Sequence, residues 1–497
     1  MTSSVIDTAP ETIENNSIHN DRKSTSSNMS DPEVAQTAEL TPRQILKKNA
    51  LPIIECFYIG FLLGVNDGNF GIILPRLKEY YNISDSLVSI LFICQAVGYF
   101  LSAFLNGWLV KKLKALGALY LGSVVAVVAY ILLLFGLPFP AMCCFMAILG
   151  GALALLDAGC NVFPSFLPYA TTILNFIHAF YGLGALVGPL IASSLLANNL
   201  SWKVSYMILC GMAVFNCILL WVSFRKVVIP EHNEGDDEAE EATVENSSGV
   251  VEESKPVQKR GTFTQVVRLK YTWIVAIFLL FYVGIETTIG GWGYTFLTVA
   301  RYGDAVQMGR VMSGYWAGLT VGRVILGHIT GMFGEKRMIT LYCIITCGMV
   351  ILIWKATSIG ADAAGLVIAG FFLGPMFPTA IAITHQTLPK YMHATAIGFI
   401  AAFGQGGVAF FPFINGQIID KAGINAMMPY TLGLSLAATI IWIMLPTKTA
   451  SYDIIVNAWK KVVRSEDKPA VPKPVDPKPE EITETSLPVN EEKSTMT

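Results

Sequence analysis

The sequence predicts an all-α membrane protein of twelve transmembrane helices in two six-helix, pseudo-symmetric halves. Three observations carry that expectation. Hydrophobic residues make up 53% of the 497-residue chain and charged residues only 14%, too apolar a composition for a soluble protein. The apolar residues fall in repeated blocks of about 20, the length a helix needs to cross a bilayer core of about 30 Å. Four glycines of the first half, Gly64, Gly71, Gly98 and Gly107, recur 220 residues later as Gly284, Gly291, Gly318 and Gly327.

Residues 1–50 are polar, rich in Ser, Thr, Asn and acids, and lack the apolar core of a cleavable signal. They are expected as a disordered cytoplasmic tail, with Leu51 onward acting as its own insertion signal. The first half, residues 51–227, carries apolar spans at 51–75, 86–110, 115–136, 139–163, 171–196 and 203–227. An acidic linker follows at 228–270; its stretch "EHNEGDDEAEEATVENSSGVVEESKPVQKR" is too polar to bury a core of its own. The second half, residues 271–446, repeats the pattern at 271–297, 309–331, 337–358, 362–385, 393–418 and 425–446. The Pro- and Glu-rich tail, 447–497, is expected to be extended and disordered.

Lys and Arg cluster at Arg43, Lys47 and Lys48, at Lys111, Lys112 and Lys114, at Arg225 and Lys226, at Lys336 and Arg337, and after the last span. The opposite loops are poorer in them, so both termini and the linker are expected in the cytoplasm. The membrane itself, plasma or organellar, is not specified by these signals. The nine cysteines all lie inside apolar blocks without a CxxC pair, which reads as small buried residues rather than a metal or redox site. A net charge of −2 gives no reason to expect a nucleic-acid partner. There is no GxxxxGK[ST] phosphate loop and no catalytic constellation, so neither an ATP-driven pump nor an enzyme is expected.

The repeat extends beyond the four glycines. "AFYGLGALVGP" (179–189) is echoed by "AAFGQGGVAFFP" (401–412), with the proline one residue out of step. Glycines that merely let helices pack closely explain each position but not a shared offset. Six spans, a soluble loop and six related spans describe two parallel repeats with a solute path between them.

These residues resemble the major facilitator superfamily. "GHITGMFGEKR" (327–337) is similar to the superfamily motif Gly-x-x-Asp-Arg-x-Gly-Arg/Lys-Arg/Lys. Gly327, Gly334, Lys336 and Arg337 match it and stand as the candidate gating motif, while Thr330 and Gly331 replace the acid and the base. The first-half copy, "GWLVKKLK" (107–114), keeps Gly107 and the basic residues and loses the acid. Within the superfamily, two stretches resemble the fucose:proton symporter type. "NDGNFGIILP" (66–75) matches its first-span Asn-Asp, and "LLDAGCNVF" (155–163) its fourth-span acid, three small residues and Asn, with Asp157 where that group has Glu. The resemblance implies proton coupling through Asp67 and Asp157.

The polar residues of the spans support the same reading by their cost. A charge at mid-bilayer costs about 2.5–3.5 kcal/mol on insertion scales. Asp67 lies too deep to snorkel; it is either a hydrogen-bond acceptor for neighbouring helices or a buried carboxyl that trades a proton. Asp157 and Asn161, four residues apart, share one helix face, with small residues between them leaving room for a ligand or another helix. Glu286, the repeat partner of Asn66, is either a cavity residue or the ion-pair partner of Arg323, and Arg323 itself reads as a packing or gate charge. Amides bind hydroxyls and aromatic faces cover a sugar ring. Asn66, Gln95, Asn161, Glu286, Trp292 and Gln405 are therefore the candidate solute contacts, with Asn175, Asn415, Gln417 and Tyr294 as further possibilities. His178 is a relay candidate or a plainly bonded histidine. Pro164 and "GPMFPTA" (374–380) place helix breakers in related spans.

The expected function is a secondary transporter moving a small hydrophilic solute, a monosaccharide first, by proton-coupled alternating access. H+ is the expected coupling ion and no cofactor is expected. The expected partners are the solute and the lipid bilayer, with the protein acting as a monomer. A passive facilitator, a sodium-coupled carrier and a non-transporting sensor remain as alternatives.

Overall fold

The computed structural model describes residues 41–225, 227, 262–389 and 392–446. Nearly all of the expected N-terminal tail, most of the linker and the C-terminal tail lie outside the described residues. The described chain is helical throughout. α1 spans Ala50–Tyr81 and ends at Asn82, whose left-handed backbone (φ 49°) returns its N–H to the Glu79 and Lys78 carbonyls. The run Ile90–Leu134 breaks at Lys114 (φ 63°, ψ 165°) into α2 (90–113) and α3 (115–134). Then come α4 (Phe139–Ser165), α5 (Ala170–Ala197) and α6 (Trp202–Phe224).

The second half opens with α7 (Lys270–Thr295), prolonged by a π-helical turn at Phe296–Ala300. α8 (Ala305–Phe333) and α9 (Glu335–Lys355) meet at Gly334, whose positive φ of 95° permits the sharp turn. α10 is split into Ile359–Leu373 and Met376–Thr387 at Gly374-Pro375, where the ring removes a backbone donor. α11 (His393–Ala422) and α12 (Met427–Met444) complete the second half. Ten of the described helical runs are long and apolar enough to span a membrane. One of them is the double run α2–α3, and α8, which carries Arg310, Arg323 and His328, completes the twelve.

The shared glycine offset has a direct physical cause. A Cβ on Gly98 of α2 would collide with the Ala147 carbonyl of α4, and one on Gly318 of α8 with the Val367 carbonyl of α10. In the reverse direction Gly150 faces the Gln95 carbonyl and Gly370 the Tyr315 carbonyl. Every partner recurs 220 residues on, so both halves use the same backbone-to-backbone approach. Gly71 of α1 meets Gly290 and Gly291 of α7, so one repeat-related pair touches across the seam between the halves.

Contacts across that seam run from mid-bundle, where Gly182 of α5 meets Thr320 of α8, to the end far from Ala50 and Met444. Just before α2, its N-cap Ser89 abuts Gly416 of α11, and Gln417 donates to the Ser86 carbonyl (3.0 Å) and the Ser89 hydroxyl (3.2 Å). On α8, Gly309 abuts Ser193 and Pro189 of α5. Eighteen residues make five helical turns at 3.6 per turn, so Gly107 repeats the face of Ser89 and Gly327 the face of Gly309. Neither Gly107 nor Gly327 has an atom within 4 Å of where a Cβ would stand. The halves are thus closed at the distal end and parted at the end bearing the termini.

Candidate functional site

Asp67 projects from α1 near the seam, half-buried, with four small neighbours (Gly60, Gly64, Gly68 and Gly71) allowing α5 and α7 to approach. Its Oδ1 accepts the Asn66 amide (3.1 Å) and its Oδ2 accepts the Tyr181 hydroxyl of α5 (2.8 Å). Asn66 is in turn fixed by the Tyr130 hydroxyl of α3, which donates to its Oδ1 at 2.9 Å. Asp157 on α4 repeats the arrangement with different elements. Its Oδ1 accepts the Asn161 amide (3.0 Å) and its Oδ2 the Tyr99 hydroxyl of α2 (2.7 Å). Asn161 also donates to the Asp157 carbonyl (2.8 Å), the one-turn spacing that the sequence puts on a single face. Both seam carboxyls of the first half are therefore held by one amide and one phenol, with no cation among their hydrogen-bond partners.

The second half handles charge differently. Glu286 on α7, 6% exposed, pairs with Arg323 of α8 at 3.2 Å, and its backbone carbonyl accepts the Tyr315 hydroxyl (3.1 Å). Of its two sequence readings, the ion pair is the one the structure contains. The pair still lies within electrostatic reach of Asp67 and Tyr181. The buried Tyr282 hydroxyl lies beside the pair, within interaction range of both Glu286 and Arg323. Toward the distal end, Arg301 pairs with the fully buried Asp362 (2.8 Å) and also donates to the Ile353 and Ala356 carbonyls (2.7 and 3.0 Å). That guanidinium ties the ends of α7, α9 and α10 together.

Several sequence candidates occupy other roles. Trp292 is 1% exposed, its Nε1 donating to the Pro412 carbonyl (3.0 Å) and its ring beside Phe92. In this conformation it packs the closed end and offers no face to a solute, because depth in a span does not reveal rotation about the helix axis. Tyr294 is likewise buried. Lys336, assigned to a gate by its motif, instead donates to the Ile443 (3.0 Å) and Leu445 carbonyls, satisfying the free carbonyls at the end of α12. Gly334 forms the α8–α9 turn, Gly327 faces open space, and Arg337 sits beside Lys336 in the first turn of α9. Gln417 serves the distal contact described above. Gln95 lies one turn before Tyr99 on α2, and Gln405 three turns before Gly416 on α11, on the face that meets α2; both are half-buried. His178 is exposed one turn below Tyr181.

Reasoning from sequence missed Tyr181, Tyr99 and Tyr130, and it missed Glu55. Glu55 is 0% exposed on α1 beside Tyr58 and Tyr120, and among the described residues neither of its oxygens has a hydrogen-bond partner. An acid four residues into a span was readable as a signal. The tyrosines were not, because a phenol is ordinary in an apolar helix.

Residues 56–412 match the family model of the Major Facilitator Superfamily. A relative from Saccharomyces cerevisiae, Bypass of stop codon protein 6, is 27% identical over 417 residues, covering 80% of this chain and 82% of its own. A Helicobacter pylori (strain J99) protein described as a candidate glucose/galactose transporter is 25% identical over 384 residues, covering 73% and 87%. Among solved structures, a D-xylose-proton symporter superposes with a TM-score of 0.62 at 13% identity, covering 80% of this chain and 98% of that one. The Escherichia coli fucose:proton symporter superposes at 0.53 with 15% identity, covering 81% and 100%. At these identities the structural matches establish the fold.

Proposed function

The chain belongs to the major facilitator superfamily, and from that premise we propose that it is a proton-coupled transporter of monosaccharides, facing the cytoplasm in the conformation described here. It is a multi-pass membrane transporter of a small solute and not an enzyme. The finer reading is supported chiefly by one observation: Asp67 and Asp157 stand at the seam held by an amide and a phenol each, without a counter-cation. An acid held by neutral donors exchanges a net charge with solvent when it binds a proton; an acid locked to an arginine has its charge compensated already. The sugar relatives, and half-buried amides such as Gln95 and Gln405, favour a hydroxylated solute.

With the termini in the cytoplasm, the parted end opens Asp67 to that compartment. Rocking of the halves about the Gly71–Gly291 contact would close it and open the distal end. Coupling requires only that the solute bind one protonation state of Asp67 better than the other. At 100 mV each proton carried would then contribute about 2.3 kcal/mol. The test is reconstitution in vesicles with an internal pH dye and a panel of D-glucose, D-galactose, D-xylose and L-fucose. Acidification that depends on an added sugar supports symport. A sugar that equilibrates without moving protons makes the protein a facilitator. If sugar-dependent flux follows a sodium gradient instead, the coupling ion is sodium.

A further inference from the structure

Both seam carboxyls bind an amide N–H on Oδ1 and a phenol O–H on Oδ2. These two donors are not equivalent. An amide N–H can only donate, whereas a phenol oxygen can donate or accept. When Asp67 gains a proton from water, the Oδ2 side offers the new O–H an acceptor, the Tyr181 oxygen, which the Asn66 N–H on Oδ1 does not. There it donates to the Tyr181 oxygen, and the hydrogen that Tyr181 had given to Asp67 is released to seek another acceptor. Only one O–H bond forms, on Asp67, and Tyr181 keeps its own proton while its hydroxyl rotates.

The surroundings of Tyr181 give that rotation a consequence. Its side chain is half-buried, and the next residue, Gly182, packs against the Thr320 side chain of α8 in the other half. The charged and titratable groups around the Asp67–Tyr181 pair are Asp157 of α4, Glu286 of α7, Arg323 of α8 and His178 on α5 itself, with Tyr130 of α3 behind Asn66. Glu286 is already engaged by Arg323 and Asp157 by Tyr99 and Asn161. The repeat has no second copy of this device. Gly182 and Gly184 align with Gly404 and Gly406, which puts Phe403 opposite Tyr181, and Thr287 stands 220 residues after Asp67.

We infer that Tyr181 is a positioning residue whose hydroxyl reverses from donor to acceptor when Asp67 is protonated, presenting its freed hydrogen to a hydroxyl oxygen of the solute. The inference rests on the symport reading and goes beyond it by naming the group that carries the state of Asp67 to the solute. Tyr99 holds Asp157 by the same chemistry, but it is Tyr181 whose chain neighbour, Gly182, meets the other half at Thr320.

The experiment compares the full-length protein with Tyr181→Phe in lipid vesicles, using D-glucose, D-galactose, D-xylose and L-fucose as probes. The expected result is that the number of protons taken up per sugar moved falls about tenfold or more, the scale of losing one hydrogen bond to a carboxyl. The apparent sugar affinity of the variant should also lose its dependence on pH. An unchanged proton-to-sugar ratio and pH profile would overturn the inference. A second measurement needs no solute: the infrared band of protonated Asp67, assigned by its absence in Asp67→Asn, followed through a pH titration. Loss of the hydrogen bond it donates should shift that band to higher wavenumber in Tyr181→Phe. An unshifted band overturns the role of Tyr181 even if no sugar moves. A shifted band in a protein that moves none of the four sugars overturns the symport reading and leaves the switch in place.

Discussion

In the first half, Asp67 and Asp157 are held by asparagine amides and tyrosine hydroxyls; in the second half, Glu286 and Asp362 are held by Arg323 and Arg301. The two halves share a backbone scaffold down to the carbonyls that Gly98 and Gly318, and Gly150 and Gly370, face, so the difference lies in side chains laid over a common frame. It teaches a division of labour. Neutral donors leave a carboxyl free to change its charge, whereas an arginine compensates that charge and resists the change. Under the proposed symport the first half would carry the response to protons, while the ion pairs of the second hold its helices in place.

The largest effects should come from breaking the second half's pairs. Arg323→Gln alone leaves Glu286 buried without its partner and should cost about 3–5 kcal/mol of stability, read as a lower unfolding temperature in detergent. Glu286→Gln combined with Arg323→Gln should recover most of that loss. If the single and double variants were equally unstable, the pair would not be the structural element argued here.

Next come the glycines, which separate the tight from the parted regions. Gly98→Val and Gly318→Val drive a side chain into a facing carbonyl and should each cost about 1–3 kcal/mol. Gly107→Val and Gly327→Val face open space and should change stability by less than about 0.5 kcal/mol, yet slow transport, because the parted ends must meet when the bundle rocks. Equal destabilisation at all four sites, measured by thermal unfolding, would mean that the termini end is closed. Smaller still is Tyr99→Phe, which removes one donor from Asp157. Its effect should be about 1 kcal/mol, appearing in the pH dependence of transport rather than in the unfolding temperature.

Much of this was legible beforehand. The bilayer forces apolar runs of fixed length, so all twelve spans were visible. The 220-residue offset was visible because close helix crossings admit only glycine. Asp67, Asp157 and Asn161 stood out because a carboxyl in a span is rare and costly. What stayed hidden depends on rotation about helix axes and on contacts between helices far apart in sequence. Tyr181 and Asp67 are 114 positions apart, and nothing local marks that phenol. The same blindness hid that Trp292 donates to the Pro412 carbonyl at the closed end and that Lys336 donates to the carbonyls ending α12. Arg301 and Asp362 escaped notice because charges at span ends look like ordinary loop residues.

The claim that Asp67 carries the coupled proton is tested most directly by one comparison. Wild type and Asp67→Asn are placed in vesicles with an internal pH dye and given an inward gradient of a transported sugar. Acidification by the wild type, with none by the variant while the variant still exchanges labelled sugar across the membrane, is the expected result. Acidification by Asp67→Asn at the wild-type ratio of protons to sugar would contradict it.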